Sequence, residues 1–335
     1  MANFIEHIRI TNFKSMRDLE MDGCRRINLL IGYPNVGKSN LLEALSLFSV
    51  PFLREKESLN RFIRGENQRE MFHNALHTEC SVKINMVEKA LLTLKNLTLN
   101  LNVQTDKYDA EFAFDEKLRR ISIPNDFDVN IKRYIFASDK PYRGVSSKEL
   151  LPPYGENISE VLANDIKGEG GATPLSSVIR WMDDEFAKIG LEYILDMSAH
   201  CIRVQRRLDG VKVFQQPYAS IADTLQRIIF YKTAIASNEN SVLLFEEPEA
   251  HAFPPYIKTI TQDIINSTSN QFFIATHSPI ILNDFIEYAD VRKEVAIYLL
   301  SLQDGQTAVK RLSNSEVDEV YNYGEDLFFN IEKFL

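Results

Sequence analysis

Between residues 32 and 39 the chain reads Gly32-Tyr33-Pro34-Asn35-Val36-Gly37-Lys38-Ser39, which fits the pattern G-x-x-x-x-G-K-[ST]. Glycines allow backbone conformations that other residues resist, so successive N–H groups can converge on a phosphate. We expect Lys38 to reach the outer phosphates of a nucleotide and the hydroxyl of Ser39 to ligate Mg²⁺. The predicted nucleotide-binding residues of this segment are Gly32, Asn35, Val36, Gly37, Lys38, Ser39 and Asn40.

The residues around this loop favour a phosphate site over an ordinary glycine-rich turn. The segment Ile27-Asn28-Leu29-Leu30-Ile31 predicts a short buried strand before it. After Ser39, apolar residues recur at helical spacing up to Phe48, and Pro51 ends the pattern. A helix that begins here points the positive end of its dipole at a bound anion.

A second motif, Glu246-Glu247-Pro248-Glu249, follows the apolar run 242–245, which also predicts a buried strand. A strand that delivers a carboxylate at its C-terminal end is the arrangement by which phosphate-loop proteins hold Mg²⁺. We expect Glu246 to face the metal and Glu247 to orient and deprotonate the attacking water. The alternative is a strand that ends in a solvated acidic turn.

The third motif is Phe272-Phe273-Ile274-Ala275-Thr276-His277-Ser278-Pro279, in which another predicted apolar strand leads to a histidine. His277 can hydrogen-bond a terminal phosphate or the attacking water, although an isolated histidine more often caps or packs. Because parallel strands bring their C-terminal ends to one edge of a sheet, where ligands bind, its position favours a functional role.

Composition narrows the function classes. The chain has 335 residues, and 38 Lys and Arg against 47 Asp and Glu give a net charge of −9. This balance argues against a protein that is basic all over and coats nucleic acid, but a local basic groove remains open. The sequence has no apolar run of the roughly 18 residues that a membrane helix needs and no secretory h-region, and its three cysteines lie far apart. We therefore expect a cytoplasmic protein without a membrane segment.

The remaining patterns describe the rest of the fold. Residues 80–123 predict an antiparallel meander, and 131–137 a further strand. Helices are predicted at about 175–189 and 220–237, and Asp304-Gly305 between two alternating runs predicts a hairpin turn.

Together the three motifs, in this order, resemble those of the ABC-type ATPase heads of the RecF/SMC group, and above all those of the stand-alone ATPases related to the OLD (overcoming lysogenization defect) family. The segment 10–15, Ile-Thr-Asn-Phe-Lys-Ser, is similar to that family's N-F-R-S opening. Glu246 to His251 looks like its E-E-P-E-x-H motif, and 275–279 matches its T-H-S-P switch. The chain has no long heptad tract for a coiled-coil arm and too few residues after His277 for a TOPRIM nuclease domain.

The resemblance implies a mechanism based on ATP-dependent dimerisation. Two heads would hold two ATP molecules between them, each site combining the motifs of one subunit with a signature segment of the other. By position the signature is Ser220-Ile221-Ala222-Asp223-Thr224, which lacks the family's glycines, and Ser220 is its candidate contact. Lys14 stands where an arginine approaches the nucleotide in many relatives. Glu246 replaces the usual aspartate and keeps its charge.

The sequence as a whole predicts an α/β fold of the P-loop NTPase type, an ABC-type ATPase head with a β-rich section and an inserted helical lobe. Its predicted parts are 1–140 with the β-rich lobe, 141–237 with the helical lobe and signature, and 238–335 with Glu246, Glu247 and His277. Expected cofactors are ATP and Mg²⁺. Expected partners are a second copy, in an ATP-sandwiched dimer or higher even oligomer, and a separate effector protein.

We expect an ATPase that turns ATP into ADP and phosphate and acts as a nucleotide-driven switch for that effector, with bacterial anti-phage defence as the context that the resemblance suggests. The alternative is a RecF-like DNA-binding repair ATPase, which would show DNA-stimulated, salt-dependent turnover. A third class is a scaffold that binds ATP with little turnover.

Overall fold

The fold was analysed in a computed structural model, which describes residues 4–122, 129–140, 142–145, 147–166, 173–323 and 326–335. The strands of these residues are β1 (His7–Phe13), β2 (Met16–Asp22), β3 (Ile27–Ile31), β4 (Glu79–Ile84), β5 (Glu88–Lys95), β6 (Thr98–Gln104), β7 (Asp109–Phe114), β8 (Ile131–Tyr134), β9 (Glu192–Asp196), β10 (Cys201–Arg207), β11 (Val213–Pro217), β12 (Val242–Glu246), β13 (Gln271–Ala275), β14 (Val295–Gln303) and β15 (Gln306–Arg311). The helices are α1 (Lys38–Leu45), α2 (Ile158–Ile166), α3 (Pro174–Lys188), α4 (Asp223–Ser237), α5 (Pro254–Asn266), α6 (Pro279–Tyr288), α7 (Asn314–Tyr323) and α8 (Ile331–Phe334).

The chain divides into two compact units. The first comprises Met1–Arg133, Asn240–Glu247 and Ser269–Leu335, and the second comprises Tyr134–Glu239 and Pro248–Thr268. The first unit therefore combines segments that lie far apart in the sequence, whereas the two segments of the second unit are separated only by Asn240–Glu247.

A six-stranded sheet in the order β15-β14-β3-β13-β12-β8 carries the phosphate-loop strand at its centre. All five residues of β3 are buried, and β3 pairs in parallel with both β13 and β14. Both faces of such a strand are covered, which explains why four of the five residues of β3 are apolar. The fifth, Asn28, donates its amide to the carbonyl oxygens of Arg25 and Phe272. The predicted hairpin turn at Asp304-Gly305 joins β14 and β15, which pair antiparallel.

The second sheet of the first unit is antiparallel and has the order β2-β1-β4-β5-β6-β7. Strands β4 to β7 are the predicted meander, and their alternating burial gives this sheet one apolar face. One buried core extends from this face through α1 to the central sheet, with Leu101, Leu42 and Phe273 among its members. This core holds α1 in place beneath the phosphate loop.

The second unit contains α2 to α5 and a three-stranded sheet, β11-β10-β9. Helix α4 packs against α3 and α5, and within this unit the Lys232 ammonium lies 2.6 Å from the Asp263 carboxylate, joining α4 to α5. Among the described residues, no helix is both long and apolar enough to cross a membrane.

Candidate functional site

The loop from Gly32 to Ser39 adopts a conformation that its glycines permit. Gly37, the N-cap of α1, has φ +105°, in the left-handed region. A Cβ placed on Gly37 would lie 2.2 Å from the Thr307 hydroxyl oxygen, and one on Gly32 would lie 2.4 Å from the Leu300 carbonyl oxygen. Neither position has room for a side chain, so the pattern of glycines reflects packing as well as backbone geometry.

Three strands end side by side at the edge of the sheet next to this loop. Glu246 pairs with Ala275 in the β12–β13 register, and Ala275 pairs with Leu30 of β3. Glu247 follows with φ +44° and donates its backbone N–H to the Ala275 carbonyl oxygen at 2.8 Å. The two acidic residues and the histidine that follows β13 are thus brought to the mouth of the loop.

A cavity of about 440 Å³ lies at this edge. Nine of the residues predicted for the site line it: Lys14, Asn35, Gly37, Lys38, Ser39, Asn40, Glu246, Glu247 and His277. The other residues along its wall are Pro34, Arg64 and Ala275. Gly32 and Val36 belong to the loop without lining the cavity, and Ser220 belongs to the second unit.

The Lys38 ammonium is folded against the loop, where it donates to the carbonyl oxygens of Gly32 and Tyr33 at 2.8 Å each. Burial lowers the pKa of Lys38 to about 8, although Glu247 and Glu246 act in the opposite direction. A partly desolvated ammonium in a polar cavity is suited to an anion, which would replace the lost hydration.

Glu246 is held by cations on both oxygens. Arg64 donates to Oε1 at 3.0 Å and Arg133 donates to Oε2 at 2.6 Å, and the Ser39 hydroxyl also hydrogen-bonds the carboxylate. Burial by itself would raise the pKa of Glu246, but Arg133, Ser39 and Arg64 outweigh it and lower that pKa. The carboxylate is therefore ionised at neutral pH.

Glu247 and His277 face each other across the cavity mouth, with the Glu247 Oε1 atom 3.7 Å from the His277 Nε2 atom. Burial, and then the charge of Lys38, lower the pKa of His277 below its ordinary value, whereas Glu247 opposes the shift. His277 is therefore a neutral imidazole at pH 7, able to donate one hydrogen bond and accept another.

Lys14 lines the cavity, but its ammonium is bonded to the Glu43 carboxylate of α1 and to the Arg64 carbonyl oxygen. The sequence placed Lys14 near the nucleotide by resemblance, and the structure shows it engaged in this buried pair.

Ser220 is exposed in a short 3₁₀ turn of the second unit and donates its hydroxyl to the Pro217 carbonyl oxygen at 2.6 Å. Helix α4 begins at Asp223 and not at residue 220, because Ile221 and Ala222 have extended or non-helical backbone angles. Thr224 donates to the His251 carbonyl oxygen at 2.7 Å, which ties this segment to the turn after Glu249.

Comparison with known proteins agrees with this geometry. The AAA ATPase domain family matches residues 4–167. An uncharacterized protein of Methanocaldococcus jannaschii is 33% identical over 168 residues, which are 44% of this chain and 73% of that protein. The chain belongs to this ATPase family.

Two further similarities bear on this ATPase head. An ATP/GTP phosphatase of Helicobacter pylori is 49% identical over 41 residues, only 12% of this chain and 11% of that protein. The crystal structure of an SMC head bound to the C-winged helix domain of ScpA aligns with a TM-score of 0.52 at 15% identity, covering 93% of this chain and 99% of that one. At this identity the second likeness establishes the ABC-type head fold alone.

Sequence reasoning about this ATPase head missed the residues that support the cavity. Arg64, Arg133 and Glu43 form its ion network, and Ser15 and Thr307 brace the loop. Ser15 ends the N-F-K-S segment and Glu43 lies on α1 just after the loop, but neither was assigned a supporting role, and Arg64, Arg133 and Thr307 belong to none of the motifs. A buried glutamate on the α1 face was the one available signal, because Glu43 interrupts an otherwise apolar helical pattern.

Proposed function

We propose that this head binds ATP with Mg²⁺ in the cavity at the end of β3 and hydrolyses it to ADP and phosphate. The observation that supports this proposal is the convergence of Lys38, Ser39, Glu246, Glu247 and His277 on one cavity. These are the cation, the hydroxyl, the two carboxylates and the imidazole that phosphoryl transfer to water requires.

The donor set fits a magnesium nucleotide. Mg²⁺ prefers oxygen ligands and keeps several waters, so in proteins it is held by one or two protein groups together with phosphates. The Ser39 hydroxyl and the Glu246 carboxylate already lie within hydrogen-bond distance of each other and would be those groups.

The side chains divide the remaining work. Lys38 would leave the two loop carbonyls for the phosphates, which are stronger acceptors. Glu247 would orient the attacking water and take its proton on a carboxylate oxygen. Neutral His277, 3.7 Å from Glu247, would donate a hydrogen bond at the terminal phosphate. The bound magnesium nucleotide supplies the phosphoanhydride and neutralises charge.

We further propose that two heads pair around ATP, with Ser220 of each facing the site of the other, and that this pairing switches a separate effector. The exposed residue Ser220, in the short turn that precedes α4, and the resemblance of the signature segment support the pairing. The SMC head in the aligned structure is bound to a domain of ScpA, a separate protein, which supports a partner for this head. The resemblance to OLD-related ATPases is the reason to propose anti-phage defence as the setting.

The RecF-like alternative requires a basic surface, for which the arginines of β10 are the candidates, and these arginines are partly neutralised. Arg203 lies 3.0 Å from Asp196, and Arg207 lies 3.1 Å from Glu192. Ion pairing of this kind reduces the charge that could contact phosphates. We therefore place DNA stimulation among the outcomes of the test.

The test is the solution mass of the Glu247→Gln variant with and without ATP and Mg²⁺, alongside phosphate release by the wild type. We expect wild-type hydrolysis, loss of at least about 100-fold in the variant, and a shift of the variant to a dimer or higher even oligomer with ATP. Glu55→Gln, at an exposed glutamate away from the cavity, is the matched control.

Unchanged hydrolysis by Glu247→Gln would refute its role as general base. Bound nucleotide without a mass shift would refute self-pairing and point to a different chain that completes the site. Turnover that rises with DNA and falls steeply with salt would support the RecF-like function instead.

A further inference from the structure

The carboxylate of Glu246 is shared between two arginines that differ in freedom. Arg133 contacts Oε2 and also donates to the Phe62 carbonyl oxygen, and its side chain is only 2% exposed. Arg64 contacts Oε1, and its side chain is 65% exposed and lines the cavity. Arg133 is therefore fixed, whereas Arg64 can rotate toward the cavity.

Arg64 is anchored at a second point. Its Nε donates to Oε1 of Glu43 at 2.7 Å, and Glu43 is fully buried on α1. A guanidinium has five N–H donors, and these two carboxylates use two of them. The bond to Glu43 can keep the guanidinium at the cavity wall while the contact with Glu246 is exchanged for another.

The network has more positive than negative charge. Lys14, Arg64 and Arg133 carry three positive charges, and Glu43 and Glu246 carry two negative ones, which leaves one positive charge. Lys38 and Glu247, the next charges on the cavity, cancel each other. A site with surplus positive charge and an exposed, forked donor is suited to the oxygens of a phosphate.

Mg²⁺ and Arg64 require the same carboxylate. A metal ion held by Ser39 and Glu246 would place its charge beside a guanidinium that is now 3.0 Å from Oε1. Repulsion between the two cations favours the movement of the more mobile one, which is Arg64. The nearest anion within the same cavity would then be the terminal phosphate, next to Glu247 and His277.

We propose that Arg64 is a phosphate-binding residue, which leaves Glu246 when the magnesium nucleotide enters and donates to the terminal phosphate of a nucleoside triphosphate while Glu43 keeps its Nε. This inference rests on the proposed function of the cavity and adds a means of distinguishing triphosphate from diphosphate. ADP has no terminal phosphate at that position, so Arg64 would gain no phosphate contact when ADP is bound.

The experiment measures equilibrium binding of AMP-PNP, a triphosphate that resists hydrolysis, and of ADP, both with Mg²⁺. The proteins are the wild type, Arg64→Ala, Arg64→Lys and Arg69→Ala. Arg69 is an exposed arginine of the same segment that does not line the cavity, so it is the matched control. Thermal unfolding without nucleotide checks that each variant is folded, and Arg64→Lys keeps the charge if Arg64→Ala does not fold.

We expect Arg64→Ala to weaken AMP-PNP binding by about 10- to 100-fold and ADP binding by less than about threefold, because one charge-assisted hydrogen-bond partner is lost. The AMP-PNP affinity of Arg64→Lys should lie between those of the wild type and Arg64→Ala, and the affinities of Arg69→Ala should match those of the wild type. Equal losses for both nucleotides, unchanged affinity, or tighter triphosphate binding would each overturn the role of Arg64. A wild type that binds neither nucleotide would instead refute the proposed function, and with it this inference.

Discussion

The hydroxyl of Thr307 donates to the Val36 carbonyl oxygen at 2.9 Å, so strand β15 is hydrogen-bonded to the phosphate loop. The same hydroxyl lies 2.7 Å from that of Ser15, which is 292 residues away in the sequence. Ser15 in turn accepts a hydrogen bond from the Asn40 amide at 2.8 Å. The loop is thus braced by the turn between β1 and β2 and by the hairpin of β14 and β15.

Thr307→Val should weaken this brace without changing side-chain volume much. The Val36 carbonyl oxygen would lose its donor in a buried position, which costs about 1–2 kcal/mol of the free energy of unfolding. We also expect weaker nucleotide binding, since the loop backbone would be less fixed. Urea unfolding and a nucleotide titration measure the two effects, and Thr307→Ser, which keeps the hydroxyl, should restore most of both. A valine variant as stable as the wild type would show that the brace is unimportant.

ATP affinity should depend on pH through Lys38. Its pKa of about 8 means that the free protein loses this positive charge as the pH rises through 8. Because the phosphates bind and stabilise the protonated form, affinity should be nearly constant below about pH 7 and fall about tenfold between pH 7 and pH 9. Equilibrium binding across that range provides the measurement.

Lys38→Arg is the control for this pH effect, because a guanidinium stays charged throughout the range. Its binding, even if weaker than that of the wild type, should not change between pH 7 and pH 9. A wild-type affinity that is flat over this range, or an equal fall in the arginine variant, would contradict the assignment.

Arg133→Met should destabilise the first unit. The guanidinium is buried and interacts with Glu246 and Glu43, so its removal leaves two carboxylates with fewer counter-charges. Removal of one member of a buried ion network costs about 3 kcal/mol, and Lys14 and Arg64 limit the loss here. Chemical denaturation should show this drop, whereas Arg69→Met at an exposed site should change stability by less than about 0.5 kcal/mol.

His277→Ala should separate hydrolysis from binding. The imidazole faces Glu247 at the cavity mouth and does not belong to the loop that holds the phosphates. We expect turnover to fall at least about tenfold, with ATP affinity within about threefold of the wild type, because a group that acts in the transition state affects the rate more than ground-state binding. Steady-state phosphate release and nucleotide titration test this, and a parallel loss of affinity would assign His277 to binding instead.

The strands of the central sheet could be predicted because burial on both faces leaves a simple pattern. The runs at 27–31, 242–245 and 271–276 each correspond to an observed strand, and Asp304-Gly305 marks the observed hairpin turn. Each of the three strand-forming runs ends at or close to a residue that lines the cavity. The local sequence therefore indicated the functional side chains of the site as well as the strands.

Other strands were missed for a physical reason. β2 reads Met-Arg-Asp-Leu-Glu-Met-Asp, whose buried residues do not alternate regularly, and β11 is largely exposed. Such strands form because neighbouring strands supply hydrogen-bond partners, which a single segment does not reveal. The same holds for Arg64, whose role depends on Glu43 and on Glu246, 182 residues away.

The neighbours of β3 have a consequence for how the protein is made. Strand β3 lies between β13 and β14, which the ribosome synthesises more than 240 residues later, as the Asn28–Phe272 contact at a separation of 244 shows. During translation this mostly apolar strand and the adjoining loop are therefore without their partners, and the strand must be kept from associating with other chains. Competence to bind a nucleotide would appear abruptly, once the hairpin with Thr307 has emerged, and a chain stalled before that point would be inert.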